Sequence, residues 1–183
     1  DALGACVLKA LRLPVFAAAL AALALAPAAA VGQSERSSES TQEAKPQSDR
    51  QRLEQCLSAV SNAGSDPRAC VGAVADPCLE ALAGTEPEAA SECMNRETSL
   101  WSENLNDVVK SLRSVLDKDA AARLDSVQEA WKVYRQQRCA FGTALYPDGD
   151  LASVWSATCL LEETGRRAVE LGAILKEAKS RRG

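Results

Sequence analysis

Six of the seven cysteines lie beyond residue 30, Cys56, Cys70, Cys78, Cys93, Cys139 and Cys159, and with the absence of any histidine they define the chemistry open to this chain. Without His there is no imidazole general base, no Ser-His or Cys-His nucleophile pair and no zinc site built on imidazole. The cysteines do not space as zinc knuckles either: the closest two leave seven residues between them, where zinc sites prefer two to four. An even set in an exported chain reads as three disulfides. An imperfect repeat suggests the pairing, since Glu54-Gln55-Cys56-Leu57 leads to Cys70 much as Asp76-Pro77-Cys78-Leu79 leads to Cys93. The preferred set is Cys56–Cys70, Cys78–Cys93 and Cys139–Cys159. Its rival joins Cys70 to Cys78 and Cys56 to Cys93. Carboxylates are numerous, but nothing in their spacing sets two of them across a cleft with one pKa raised, as glycoside hydrolysis requires. No catalysis, metal or cofactor is expected.

The elements that hold these residues follow from composition. The 183 residues carry 21 Lys+Arg against 25 Asp+Glu, for a net charge of -4, which offers no electrostatic case for nucleic acid. With aromatics at 4% and Ala and Leu abundant, the fold class is all-α. A small antiparallel helical bundle stapled by disulfides is expected.

Residues 1–30 read as a signal peptide. Lys9 and Arg12 precede an apolar run over 13–26, and Pro27-Ala28-Ala29-Ala30 supplies a small-residue cleavage site, placing the cut after Ala30. The run is shorter than the ~20 residues that span a bilayer, and Cys6 lies in front of it rather than behind, so neither a membrane anchor nor a lipid is expected. The mature protein is then periplasmic or secreted. Residues 31–48 are polar and nearly free of apolar side chains, a linker with too little surface to offset its ordering entropy.

Residues 49–94 divide into short helices over 50–60, 68–75 and 77–83, too short to stand without the disulfides. Residues 95–179 hold three longer ones, packed with them as one domain. Their stripes are Trp101, Leu105, Val108, Leu112 and Val115; then Leu124, Val127, Trp131, Tyr134, Phe141 and Leu145; then Leu161, Ala168, Leu171 and Leu175. The aromatic line of Trp101, Trp131, Tyr134 and Phe141 reads as core. Asp117 or Asp119 caps the second helix, and its short joint to the first makes those two antiparallel neighbours. A Gly/Pro/Asp turn cluster over 142–150 separates the second from the third, with Cys139 and Cys159 on its flanks.

The run Cys93-x3-Glu97-x3-Trp101-x3-Leu105-Asn106, then Gln128-x2-Trp131-x2-Tyr134-Arg135-x3-Cys139, then Cys159-x4-Thr164-x2-Arg167-x3-Leu171 resembles the LprI-type lysozyme-inhibitor family. The resemblance implies an exported, disulfide-bonded helical domain whose partner is a protein, a basic lysozyme in the first instance. Glu97, Arg135 and Arg167 are motif positions on three helices and are expected to form a structural polar network. Occlusion of the enzyme is expected from the turn cluster, through Tyr146, Asp148 and Asp150. A second acidic surface runs over 76–107, where Asp76, Glu80, Glu86, Glu88, Glu92, Glu97, Glu103 and Asp107 meet only Arg96. Within it, Glu86 and Glu88 are the further candidates for a basic partner. The competing reading is a structural or adaptor protein of the cell envelope.

Overall fold

The computed structural model describes residues 48–82, 86–147 and 149–182; the expected signal segment, nearly all of the linker and Asp148 lie outside them. Ser48 opens the first helix with a reciprocal pair of bonds. Its Oγ accepts from the Gln51 N–H at 3.3 Å, and Gln51 Oε1 accepts from the Ser48 N–H at 3.1 Å, a capping box for α1 (Asp49–Asn62).

The helix expected over 68–75 does not form. Pro67 starts a single 3-10 turn, Pro67–Cys70, capped by Asp66 Oδ1 accepting from the Arg68 N–H at 2.9 Å. The chain then passes through Gly72 at φ +105°, a left-handed conformation that glycine adopts without penalty and that ends helical propagation. α2 (Ala75–Ala81) begins earlier than the proline at position 77 suggests.

α3 (Pro87–Val115) starts with proline in its first turn, where a missing N–H costs nothing, and runs through residue 95, where the sequence divides short helices from long. The Asp117 carboxylate accepts from the Ala120 N–H at 2.8 Å, so Asp117 is the cap of α4 (Lys118–Ala140). α4 stops at Ala140 instead of continuing to Leu145. A separate turn of helix, α5 (Gly142–Leu145), intervenes before α6 (Asp150–Ser180).

The three long helices run up, down and up. Ser91 meets Ser153 and Met94 meets Thr158, so α3 and α6 are parallel and in register. Arg135 meets Thr164 and Gln128 meets Arg167, so α4 is antiparallel to α6. The principal packing is α3 on α6, with Trp101, Leu105 and Leu112 buried against Ala157, Leu161, Ala168 and Leu171. A methyl group on Gly165 would lie 2.6 Å from Val71 Cγ2 and 3.4 Å from the Trp101 ring, so this glycine sets how closely α6 approaches its neighbours. α4 touches α3 less extensively, with an Arg113–Asp125 ion pair between them.

The preferred cysteine pairing is the one the structure adopts. Cys56–Cys70 ties α1 to the 3-10 turn and Cys78–Cys93 ties α2 to α3, each with Cα atoms 5.7 Å apart. Cys139–Cys159 ties α4 to α6 at 5.4 Å.

The apolar stripe of α4 is corrected by the fold. Val127, Tyr134 and Phe141 are 53%, 52% and 58% exposed, and Leu145 also faces solvent. At about 100° per residue, the face one position along, Gln128, Trp131, Arg135 and Cys139, is the one turned to α6. Trp101 is wholly buried and Trp131 partly so, whereas Tyr134 and Phe141 are not core. Among the described residues, no helix is long and apolar enough to cross a membrane.

Candidate functional site

The buried and half-buried polar residues of the sequence motif gather in two places. The first is beneath the turn ahead of α2. Glu97 is wholly buried; its Oε1 accepts from the Gly72 N–H at 2.8 Å, and its Oε2 from the N–H groups of Val74 and Ala75 at 2.8 and 2.7 Å. Trp101 Nε1 adds a fourth donor to Oε1 at 2.8 Å. α2 has no side-chain cap of its own, so a carboxylate borrowed from α3 satisfies the unpaired donors at its N-terminus and complements its dipole.

The second is the seam between α4 and α6. The Arg135 guanidinium carbon lies 4.8 Å from the centroid of the Trp131 ring, and that of Arg167 lies 5.8 Å from it. Arg135 Nη1 donates to Thr164 Oγ1 at 2.9 Å; Arg167 Nε donates to Gln128 Oε1 at 2.7 Å and its Nη1 to Glu170 at 2.9 Å. Glu97 bonds to neither arginine, so the three motif charges belong to two separate systems. Burial pushes the Arg135 pKa down from the ordinary arginine range, and its Nε is buried with no hydrogen-bond partner.

The turn cluster forms one end of the bundle. Gly142 lets the chain pass close to Trp155: a methyl group there would fall 2.5 Å from the indole ring. Around this contact Phe141, Leu145, Tyr146 and Leu151 are exposed, and a groove of about 420 Å³ runs among Arg138, Tyr146, Leu151, Val154, Trp155 and Glu162. Asp150, in the first turn of α6, is exposed at the same end. So are Glu86 and Glu88, because α3 and α6 are parallel with Ser91 opposite Ser153, which sets the first turn of α3 level with that of α6. The structure thus brings Glu86, Glu88, Tyr146 and Asp150 to one end of the bundle.

The remaining acidic surface is smaller than the sequence implies. Glu97 is inside, Glu103 is paired with Arg50, and Arg96 is paired with Asp49. Asp76, Glu80, Glu92 and Asp107 stay exposed. Sequence reasoning placed Phe141 and Leu145 in the core and passed over Leu151 and Trp155; the available signal was that all four apolar residues lie within or beside the Gly/Pro/Asp turn.

No curated protein and no solved structure matches the chain. Residues 78–171, from the second disulfide to the last buried leucine of α6, match the family described as lysozyme inhibitor LprI. That match takes in Glu97, Trp101, the α4–α6 seam and the turn cluster, and the chain belongs to the LprI lysozyme-inhibitor family.

Proposed function

We propose that this protein is exported and inhibits a basic lysozyme by seating the α4–α6 end of the bundle against the rim of the enzyme's cleft. The family carries the first half of this reading. The observation that carries the second is the chemistry of that end: exposed Phe141, Leu145, Tyr146 and Leu151, with Glu86, Glu88 and Asp150 exposed at the same end of the bundle. An apolar and aromatic centre inside a charged rim is the usual anatomy of a protein–protein interface, and an acidic rim suits a cationic enzyme. Cys139–Cys159 ties the base of the loop and lowers the entropy that binding must remove. Asp148 belongs to the same turn by sequence and joins the acidic rim in this reading. Export fits the three disulfides, which persist in oxidising compartments, and processing follows Ala30.

The test is protection of bacterial cell walls from a basic lysozyme in a turbidity assay. The wild-type protein slows clearing in proportion to its concentration, and Tyr146→Ser with Leu151→Ser weakens that protection at unchanged helicity. No protection at micromolar excess over the enzyme would replace inhibition with the adaptor reading.

A further inference from the structure

Arg135 is a half-buried cation without a carboxylate. Nine ion pairs link charged side chains among the described residues, and Arg135 is in none of them. Its neighbours in charge show the contrast: Arg167 bonds Glu170, and Arg138 and Arg166 share Glu163. Arg135 instead rests on the face of Trp131, spends Nη1 on the neutral hydroxyl of Thr164, and keeps a buried Nε with no acceptor. A half-buried cation with no carboxylate partner is costly, and an anionic ligand that meets the accessible part of the guanidinium offsets that cost on binding.

The guanidinium lines a groove of about 590 Å³ between α4 and α6, a volume within the range of small-molecule sites. Lys132, one turn before Arg135, is the other charged residue on its wall, and no Asp or Glu lines it. The ion pair from Lys132 to Glu129 is exposed and holds the ammonium only weakly. The hydroxyls of Thr143 and Ser156 already donate to the carbonyls of Ala140 and Cys139, so the unspent donors belong to Lys132, Arg135 and Gln136. The apolar part of the lining is Cys139 and Ala140, further along α4, and Leu160, which faces them from α6.

We propose that this groove is a binding site for a small carboxylate on an aliphatic body, with the Arg135 guanidinium taking the carboxylate and the apolar side chains of Leu160 and Ala140 taking the chain. A planar guanidinium matches a carboxylate in a fork, and Lys132 adds a second positive charge. The apolar lining selects this class over a bare inorganic anion. The site lies on the α4–α6 seam and makes no use of the lysozyme reading.

Hexanoate is the probe, titrated into the full disulfide-bonded chain while the arginine Nε–Hε signals are followed by NMR, with hexanol, hexylamine and inorganic phosphate as comparisons. Hexanoate should move the Arg135 signal saturably, while hexanol and hexylamine leave it in place and phosphate binds at least tenfold more weakly. Arg135→Gln should reduce hexanoate affinity at least tenfold and Lys132→Gln about threefold. Because Arg135→Gln also disturbs the seam, Ala140→Phe serves as the second variant. It fills the groove from an exposed position, keeps the guanidinium, and should abolish the hexanoate shift. An unmoved Arg135 signal at saturating hexanoate, equal binding of phosphate, or a shift that survives Ala140→Phe would overturn the assignment.

Discussion

Trp101 Nε1 donates to Glu97 Oε1 at 2.8 Å across one turn of α3, and neither side chain is exposed to solvent. The indole thereby fixes the carboxylate that holds the N–H groups of Gly72, Val74 and Ala75. Glu97→Gln removes the charge and turns an NH2 donor toward a cluster of donors. We expect it to cost about 2–4 kcal/mol, the scale of charged hydrogen bonds lost in a buried site. Chemical denaturation measures it, and a loss below 1 kcal/mol would mean the turn ahead of α2 holds itself.

Two glycines of α6 should respond in opposite senses to the same substitution. Gly165→Ala forces a methyl group onto Val71 and Trp101 and should destabilise the fold by roughly 1–3 kcal/mol. Gly172→Ala meets nothing within 4 Å in the middle of a helix and should stabilise it by up to ~1 kcal/mol. Thermal midpoints of the two variants, compared with the wild type, decide the matter.

Replacing Cys139 and Cys159 together by Ser frees a loop with a sequence separation of 20 residues and should lower stability by about 3 kcal/mol. Inhibition, if it uses this end of the bundle, should fall further than stability does. Equal inhibition by the disulfide-free variant under conditions where it is folded would separate the loop from the contact surface.

Asp76 gives a pH signature. Burial first, and the nearby carboxylates of Glu97 and Glu80 after it, raise its pKa above the ordinary aspartate value. Folding therefore favours the protonated form. The contribution of this group to stability is fully present below ~3.9, the unfolded value, and is lost as pH rises through the higher folded value. Asp76→Asn should stabilise the protein at pH 7 and lose that advantage near pH 3. The side chain is exposed, so solvent screening keeps the gain well under ~1 kcal/mol. Paired urea titrations at the two pH values read it, and a destabilised variant at pH 7 contradicts the assignment.

Charge reversal at the bundle end separates steering from contact. Glu88→Lys with Asp150→Lys should slow association with a basic lysozyme by about tenfold at low salt, and Asp148→Lys with Asp150→Lys should act in the same sense. Added salt should erode the wild-type advantage, because exposed charges are screened beyond ~8–10 Å at physiological ionic strength. An unchanged association rate would take the acidic rim out of the interface.

The cysteine pairing was legible because each bonded pair is consecutive in sequence and two of them sit in a repeat. The stripe of α3 was legible too, since Trp101, Leu105 and Leu112 are covered by a partner along their length. α4 was misread for a physical reason: periodicity tells which side chains share a face, while burial depends on which face a neighbour covers. Val127, Tyr134 and Phe141 share a face that no described element covers, and the polar line through Gln128 and Arg135 forms the seam. The role of Glu97 was hidden because three of its donors are backbone N–H groups 22 to 25 residues earlier, which no side-chain pattern records.

Among the described residues, the three disulfides join cysteines that are consecutive in sequence, at separations of 14, 15 and 20. Each thiol therefore meets its native partner before any later one when the chain appears from its N-terminal side. Oxidation can then proceed pair by pair in order of synthesis, with no earlier crosslink to reopen. A strong, unselective oxidase suffices for such a chain, and its maturation should be indifferent to loss of a disulfide isomerase.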